Sequence, residues 1–304
     1  MITRRKLIQS VPAGLVAASL PLPVWSATTM SLGSMQINVL SDGNLVLPGS
    51  TNVDNLHAGE LSAIMQKYDI SSEQRTPDCN VTLIRDGERV ILIDVGSGPE
   101  FMASAGRLQD ALAAIDVDPY DVTHVVFTHA HPDHLWGLLD DFEDPTFPNA
   151  TYMIGKSEWD YWIDPETVNT IGEARTTFAV GARRRLALIE ENITFFNDGE
   201  EILPGIAARA TFGHTPGHMA FHIAHGSNNL MVLGDCVGNH HVAFERPEWR
   251  AGSDQDGDLG AATRVALLDQ LASEHMSIIG YHMPYPGIGR AEKRGDSFIF
   301  VAEE

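Results

Sequence analysis

The sequence predicts an α/β fold in which two β-sheets pack face to face and helices cover their outer sides. Short β-branched runs occur in both halves of the chain, helical stretches separate and follow them, and Asp-Gly pairs punctuate the first runs as hairpins. That pattern suits a two-sheet sandwich better than a doubly wound parallel sheet.

The first residues stand apart from the fold. Thr3, Arg4, Arg5, Lys6 and Leu7 lead into a moderately apolar stretch, 8–22, that is interrupted by Pro12, Gly14 and Pro21. A basic start, a short apolar middle and small residues near the end mark a secretory leader, and the paired arginines favour the twin-arginine kind. The apolar run falls short of the roughly 20 residues that a spanning helix needs, so no stable membrane anchor is expected. Residues 1–27 are therefore expected to be a signal peptide, cleaved near Ser26 or Ala27, and residues 28–304 one domain exported to the periplasm.

Within that domain, 36–40, 81–85 and 90–95 read as strands bounded by Asp42-Gly43 and Asp86-Gly87. Residues 108–114 read as helix, and 122–127 as a buried strand that empties into a histidine cluster. Then come 152–154 extended, 157–162 and 173–191 helical, and 207–212, 220–224 and 229–234 extended. An amphipathic helix over 259–274 and a strand over 277–281 follow. Arg183, Arg184 and Arg185, with Glu190 and Glu191 nearby, are expected on a solvated helix face. Asp254, Asp256 and Asp258 around Gly257 match a calcium loop poorly, because the terminal glutamate is missing at the required offset. Cys79 and Cys236 make no disulfide framework; a single bridge stays open, with a buried thiol expected at Cys236.

The chemistry is concentrated in Thr128-His129-Ala130-His131-Pro132-Asp133-His134. Side chains two apart on an extended segment point the same way, so His129 and His131 can grip one ion. Asp133 and His134 lie just beyond, where the chain turns toward a helix, and can face a second. Imidazole with carboxylate suits zinc, and manganese, iron or cobalt less often. Further candidate ligands follow later apolar strands: His214 in Gly213-His214-Thr215-Pro216-Gly217-His218, Asp235 after Leu233-Gly234, and His282 after Gly280-Tyr281. Together they make a set large enough for two ions with Asp235 bridging. Trp136, His241 and Phe244 are candidates for a pocket wall, and no Gly-x-Ser-x-Gly nucleophile motif competes.

In order and in motif, these segments resemble the metallo-β-lactamase superfamily, as does Leu92-Ile93-Asp94-Val95-Gly96 upstream. Leu40-Ser41-Asp42-Gly43 and His282-Met283-Pro284-Tyr285-Pro286-Gly287-Ile288-Gly289 look like its methyl parathion hydrolase branch, whose relatives include esterases and lactonases. The resemblance implies a four-layer αβ/βα sandwich. It implies one ion on His129, His131 and His214, the other on Asp133, His134 and His282, and Asp235 between them. It makes His218 a supporting group, and Asp94 an orienting one.

Two such ions, about 3.5 to 4 Å apart, lower the pKa of a shared water enough to give hydroxide near neutral pH. The expected activity is hydrolysis of an ester, lactone or phosphotriester, with Asp133 passing a proton to the leaving group. Carboxylic esters and lactones are favoured, since phosphotriesters are largely synthetic. An iron-dependent oxidoreductase of the sulfur dioxygenase type, on the same scaffold, and a non-catalytic periplasmic metal-binding accessory protein are the alternatives. The formal net charge of -21, more negative still once Arg4, Arg5 and Lys6 leave with the leader, excludes nucleic acid as a partner and tilts the substrate toward an uncharged small molecule. Specificity is expected from the loops at 56–76, 142–148 and 244–257, and the apolar 61–65 stretch is a candidate homodimer contact.

Overall fold

The structure is a computed structural model that describes residues 27–49 and 57–303. The expected leader, 1–27, lies outside the described residues except for Ala27, which opens β1. Along the chain run β1 (Ala27–Leu32), β2 (Met35–Asn44), β3 (Leu47–Pro48), α1 (Ala58–Lys67), β4 (Gln74–Arg75), β5 (Asp78–Asp86), β6 (Arg89–Ile93) and α2 (Leu108–Ala113). Next come β7 (His124–Phe127), α3 (Pro132–Leu135), β8 (Thr151–Gly155), α4 (Lys156–Ile163), α5 (Thr167–Thr170), α6 (Thr176–Ile189) and β9 (Ile193–Phe196). The second half adds β10 (Glu201–Leu203), β11 (Ile206–Ala210), β12 (Met219–His225), β13 (Asn228–Val232) and α7 (Val242–Glu245). It ends with α8 (Gly257–Glu274), β14 (Ser277–Ile279), β15 (Ile288–Arg294) and β16 (Ser297–Ala302).

Two seven-stranded sheets result, in the orders β1-β2-β5-β6-β7-β8-β9 and β10 to β16 in sequence. The two-residue periodicity of a strand sorts their side chains into layers. In β7, Val125 and Phe127 join the core beneath the helices, while Val126 joins the core between the sheets; Tyr152, Ile154 and Met153 of β8 divide in the same way. The helix-side core of the first sheet takes Leu112 of α2, Trp159 and Trp162 of α4, and Leu186 of α6. On the second sheet, Met231, Ile278 and Phe298 meet Leu267, Leu268 and Leu271 of α8. Helix, sheet, sheet and helix therefore stack as four layers, the αβ/βα sandwich that the resemblance implied. Among the described residues no helix is long and apolar enough to cross a membrane.

Several local expectations need correction. Asp42-Gly43 does not end a strand: β2 continues to Asn44 through a register shift, and Asp42 turns inward to accept from the backbone N–H groups of Ser97, Gly106 and Leu108. β6 stops at Ile93 because Asp94 adopts φ 65°. Strand β9, with Ile193, Phe195 and Phe196, and the β15–β16 hairpin, whose 298–301 run is apolar, were not among the expected strands. The segment expected as a 56–76 loop contains α1, whose Ile64 packs within the chain against Val242 and Trp249 and whose Met65 is also buried. Cys79 and Cys236 are both buried free thiols, and burial pushes each up to about 12.

The arginine run is also divided rather than uniformly solvated. Arg183 is exposed, but Arg185 points into the first sheet's helical layer. Its guanidinium lies 4.4 Å from the Trp136 ring centroid, donates to the carbonyls of Trp136 and Gly181, and pairs with Glu100 at 2.5 Å. Arg185→Ala is expected to lower unfolding stability by about 2–3 kcal/mol, through lost stem packing and orphaned acceptors, and Arg183→Ala by under about 0.5 kcal/mol. Urea midpoints of the two variants measure the contrast.

Candidate metal centre

Strand ends deliver the candidate ligands. Past Phe127, the loop at 128–131 carries His129 and His131. Pro132 then opens α3, at a position whose missing N–H costs nothing, and Asp133 and His134 follow in its first turn. From the second sheet, His214 comes from the turn between β11 and β12, Asp235 from just past β13, and His282 from just past β14. Gly234 takes φ 55° beside the cluster, where a Cβ would sit 2.7 Å from His218 Nε2, so no larger residue fits without a shift.

The seven residues converge in two groups: His129, His131 and His214, and Asp133, His134, Asp235 and His282. In each group one nitrogen or oxygen per residue lies within 4.8 Å of the others. Asp235 also reaches the first group: its Oδ2 is 3.3 Å from His214 Nε2 and 3.2 Å from His282 Nε2, and its Oδ1 is 3.2 Å from His134 Nε2. That last pair is close yet misaligned for hydrogen bonding. His129 Nε2, His134 Nε2 and Asp235 Oδ1 are all buried without a hydrogen-bond partner. Orphaned buried polar atoms are rare, and three that belong to one converging set of imidazoles and carboxylates fit a dinuclear metal site.

Electrostatics favour a cation in the same place. Burial lowers the imidazoles of His129 and His131 well below the ordinary histidine value, and neighbouring histidines add to the effect. In the second group burial opposes charge on His134, but Asp235, Asp133 and Asp94 outweigh it and raise His134 to about 10. His282 is likewise raised, with burial overcome by Asp235 and Asp133. The carboxylates thus retain protons on two histidines that a divalent cation would displace.

Groups behind the ligands fix their orientation. Asp94 accepts from Thr128 N and Oγ1, each at 2.8 Å, and from His134 Nδ1 at 2.7 Å, leaving His134 Nε2 to face the centre. Thr128 Oγ1, already donating to Asp94, accepts from His129 Nδ1 at 3.0 Å, and so turns His129 Nε2 inward. Asp254 lies 3.2 Å from His214 Nδ1, and the Asp78 carbonyl accepts from His282 Nδ1 at 2.8 Å. His218 contacts Thr211 Oγ1 through Nδ1 and accepts the Asp235 backbone N–H through Nε2 at 3.0 Å. These tautomers follow from the hydrogen-bond partners.

Three supporting residues were not singled out for this role. Glu158 of α4, fully buried, accepts from Ala130 N, Trp162 Nε1, Thr215 Oγ1 and Gly217 N, so it ties the 128–134 segment to the His214 turn. Tyr281 donates to the Asp133 carbonyl at 2.6 Å, and its ring centroid lies 3.8 Å from that of His134. Asp254, noted only in a weak calcium pattern, instead joins His214 to the buried Arg264, while Asp256 caps α8 and Asp258 pairs with Arg250. Their spacing from the motif is long and irregular, and no local signal marks them.

A cavity of about 720 Å³ opens over His131, Asp133, His214, Asp235 and His282. Leu47, Phe101, Phe178 and Trp249 contribute apolar wall, and His240 and His241 also line it. Two expectations fail here. Trp136 is spent on Arg185 and Phe101 and lines no part of the cavity, and Phe244 is fully buried beneath the second sheet. Nor does the 142–148 loop reach it: Phe142 is 84% exposed, and Phe147 is buried in the first core.

A profile described as the metallo-beta-lactamase superfamily matches residues 75–273. Two solved structures are similar over 92% of this chain and 98% of theirs at 25% identity. They are a product-bound dizinc quorum-quenching lactonase, AidC, with TM-score 0.84, and the hydrolase AbOPH of the beta-lactamase superfamily, with TM-score 0.86. The N-acyl homoserine lactonase AttM of Agrobacterium fabrum is 30% identical over 127 residues, 41% of this chain and 44% of that protein. The chain spans under two thirds of the length of these curated relatives.

Two measurements probe the centre. Because His134 is held at about 10, it carries a proton at pH 7 in the metal-free protein, so zinc loading should release at least one proton and affinity should rise with pH. Titration calorimetry in buffers of different ionisation enthalpy reads that release. Glu158→Gln, which faces donors with an amide N–H, is expected to weaken metal binding about 10–100-fold in a chelator competition.

Proposed function

The chain belongs to the metallo-β-lactamase superfamily, and from that premise we propose that it is a metal-dependent hydrolase with a dinuclear zinc site that acts on lactones and carboxylic esters. The observation that carries the reading is the pair of converging ligand groups, with Asp235 between them, on the floor of a cavity large enough for a small acyl compound. Support for lactones comes from AidC and AttM, whose descriptions name that activity.

His129, His131 and His214 would hold one ion, Asp133, His134 and His282 the other, and Asp235 would contact both. When bound, the ions supply Lewis acidity toward the scissile carbonyl and lower the pKa of the attacking water. The chain's own work is positional. Asp94, Asp254 and the Asp78 carbonyl keep three imidazoles turned inward. Phe101, Phe178 and Trp249 exclude water from the substrate's apolar part. Asp133, lining the cavity with Oδ2 3.2 Å from His282 Nε2, takes the proton lost by water and passes it to the leaving alkoxide.

A rate survey of the zinc-loaded protein over lactones, aryl esters, phosphotriesters and β-lactams tests the reading. The highest kcat/KM is expected on lactones or carboxylic esters; activity confined to the other classes contradicts it. Losing the several kcal/mol that a metal contributes means a fall of about a thousandfold in kcat/KM for His129→Ala. Export, supported by Arg4, Arg5 and the apolar run after them, belongs to the same proposal, and the mature protein should fractionate with the periplasm.

A further inference from the structure

The cavity wall carries five arginines in a strongly acidic protein: Arg75, Arg175, Arg246, Arg250 and Arg264. Four are engaged. Arg175 donates to the carbonyls of Gly252 and Ser253, Arg246 pairs with Glu60, Arg250 with Asp258, and Arg264 with Asp254. Arg75 differs. Its Nε donates to the Pro48 carbonyl at 3.3 Å, and among the described residues no carboxylate pairs with it and neither Nη has a hydrogen-bond partner. Half-buried, the guanidinium is pushed below its ordinary value by burial, and among the described residues no acidic neighbour offsets the cost.

His241 belongs to the same wall. Its Nδ1 accepts from Val242 N at 2.8 Å, so the proton of the neutral ring sits on Nε2. Burial, then His240 and Arg75, lower it to about 3, so it stays neutral and the charge of Arg75 reaches it. Arg75 and His241 therefore both offer donors to the cavity, and among the described residues no carboxylate pairs with either. Arg75 lies near the metal ligands: Asp78, whose carbonyl holds His282, follows it by three residues, at most about 10 Å of extended chain.

A partly desolvated guanidinium without a counter-charge is left with unmet donors, and an acceptor-only anion satisfies them best. We propose that the substrate is an ester or lactone bearing a carboxylate several carbons from the scissile carbonyl, and that Arg75 engages that carboxylate. The inference rests on the hydrolase reading above. It reverses the tilt toward an uncharged guest suggested by net charge, since Arg75 places a positive charge on the wall that no carboxylate among the described residues pairs with.

The test uses the zinc-loaded protein and two probes, the 4-nitrophenyl half-ester of adipic acid and the same compound with its distal carboxylate methylated. The free carboxylate should raise kcat/KM at least tenfold, mainly through a lower KM, and the preference should shrink with added salt. Arg75→Gln should abolish the preference, and Arg75→Lys should retain part of it. Equal or better turnover of the methylated probe, or a preference that survives in Arg75→Gln, overturns the role of Arg75 while leaving the hydrolase reading intact. Binding is read separately by calorimetry: adipate should bind at least tenfold more tightly than hexanoate, and Arg75→Gln should erase the difference. Equal binding overturns the inference even if neither ester is turned over, a result that would count against the hydrolase reading itself.

Discussion

Imidazoles and carboxylates do not converge in a protein interior by default. Each loses its water, and like groups brought together repel one another. Here His129, His131, His134, His214 and His282 meet Asp133 and Asp235 in one buried space, with key ligand atoms left unpaired among themselves. Much of the surrounding structure can be understood as the restraint that this requires. Asp94 takes Asp-tolerated but unusual backbone geometry to receive Thr128 and His134, and Glu158 gathers four donors from both sides of the cluster. Tyr281 presses its ring on His134 while holding the Asp133 carbonyl.

These restraints depend on the sandwich. The 128–134 segment hangs from the first sheet, and Asp235 and His282 from the second, so the centre exists only where the sheets dock. Docking is driven by the apolar layer between them, built from residues such as Ile37, Ile91, Val126, Phe221 and Ile279. Glu158 extends that coupling, because its helix packs on the first sheet while its carboxylate anchors Thr215 and Gly217 of the second half. Metal affinity and domain stability should therefore be linked rather than independent.

Much of this was legible in the sequence wherever the signal was local. His129, His131, Asp133 and His134 are neighbours in the chain, and apolar runs before Asp235 and His282 mark strand ends, while the resemblance, rather than any spacing, implied that these distant segments converge. The two-sheet architecture followed from where the strands lie. Arg185 was misread because only its packing against Trp136 shows that one arginine of three turns inward. Phe244 and Trp136 were misplaced for the same reason: an aromatic residue near the motif can face a core as easily as a cavity. Glu158, Tyr281 and Asp254 carry no spacing relative to the ligands they brace, and the unpaired state of Arg75 is a fact about what does not surround it. Such roles are tertiary, and a one-dimensional pattern does not contain them.

The central claim is that two ions share this centre through Asp235. Anomalous diffraction at the zinc edge, from crystals of zinc-loaded protein, tests it most directly. The account predicts two strong peaks per chain, one beside His129, His131 and His214 and one beside Asp133, His134 and His282, with Asp235 contacting both. A single peak, or peaks remote from these residues, would contradict it.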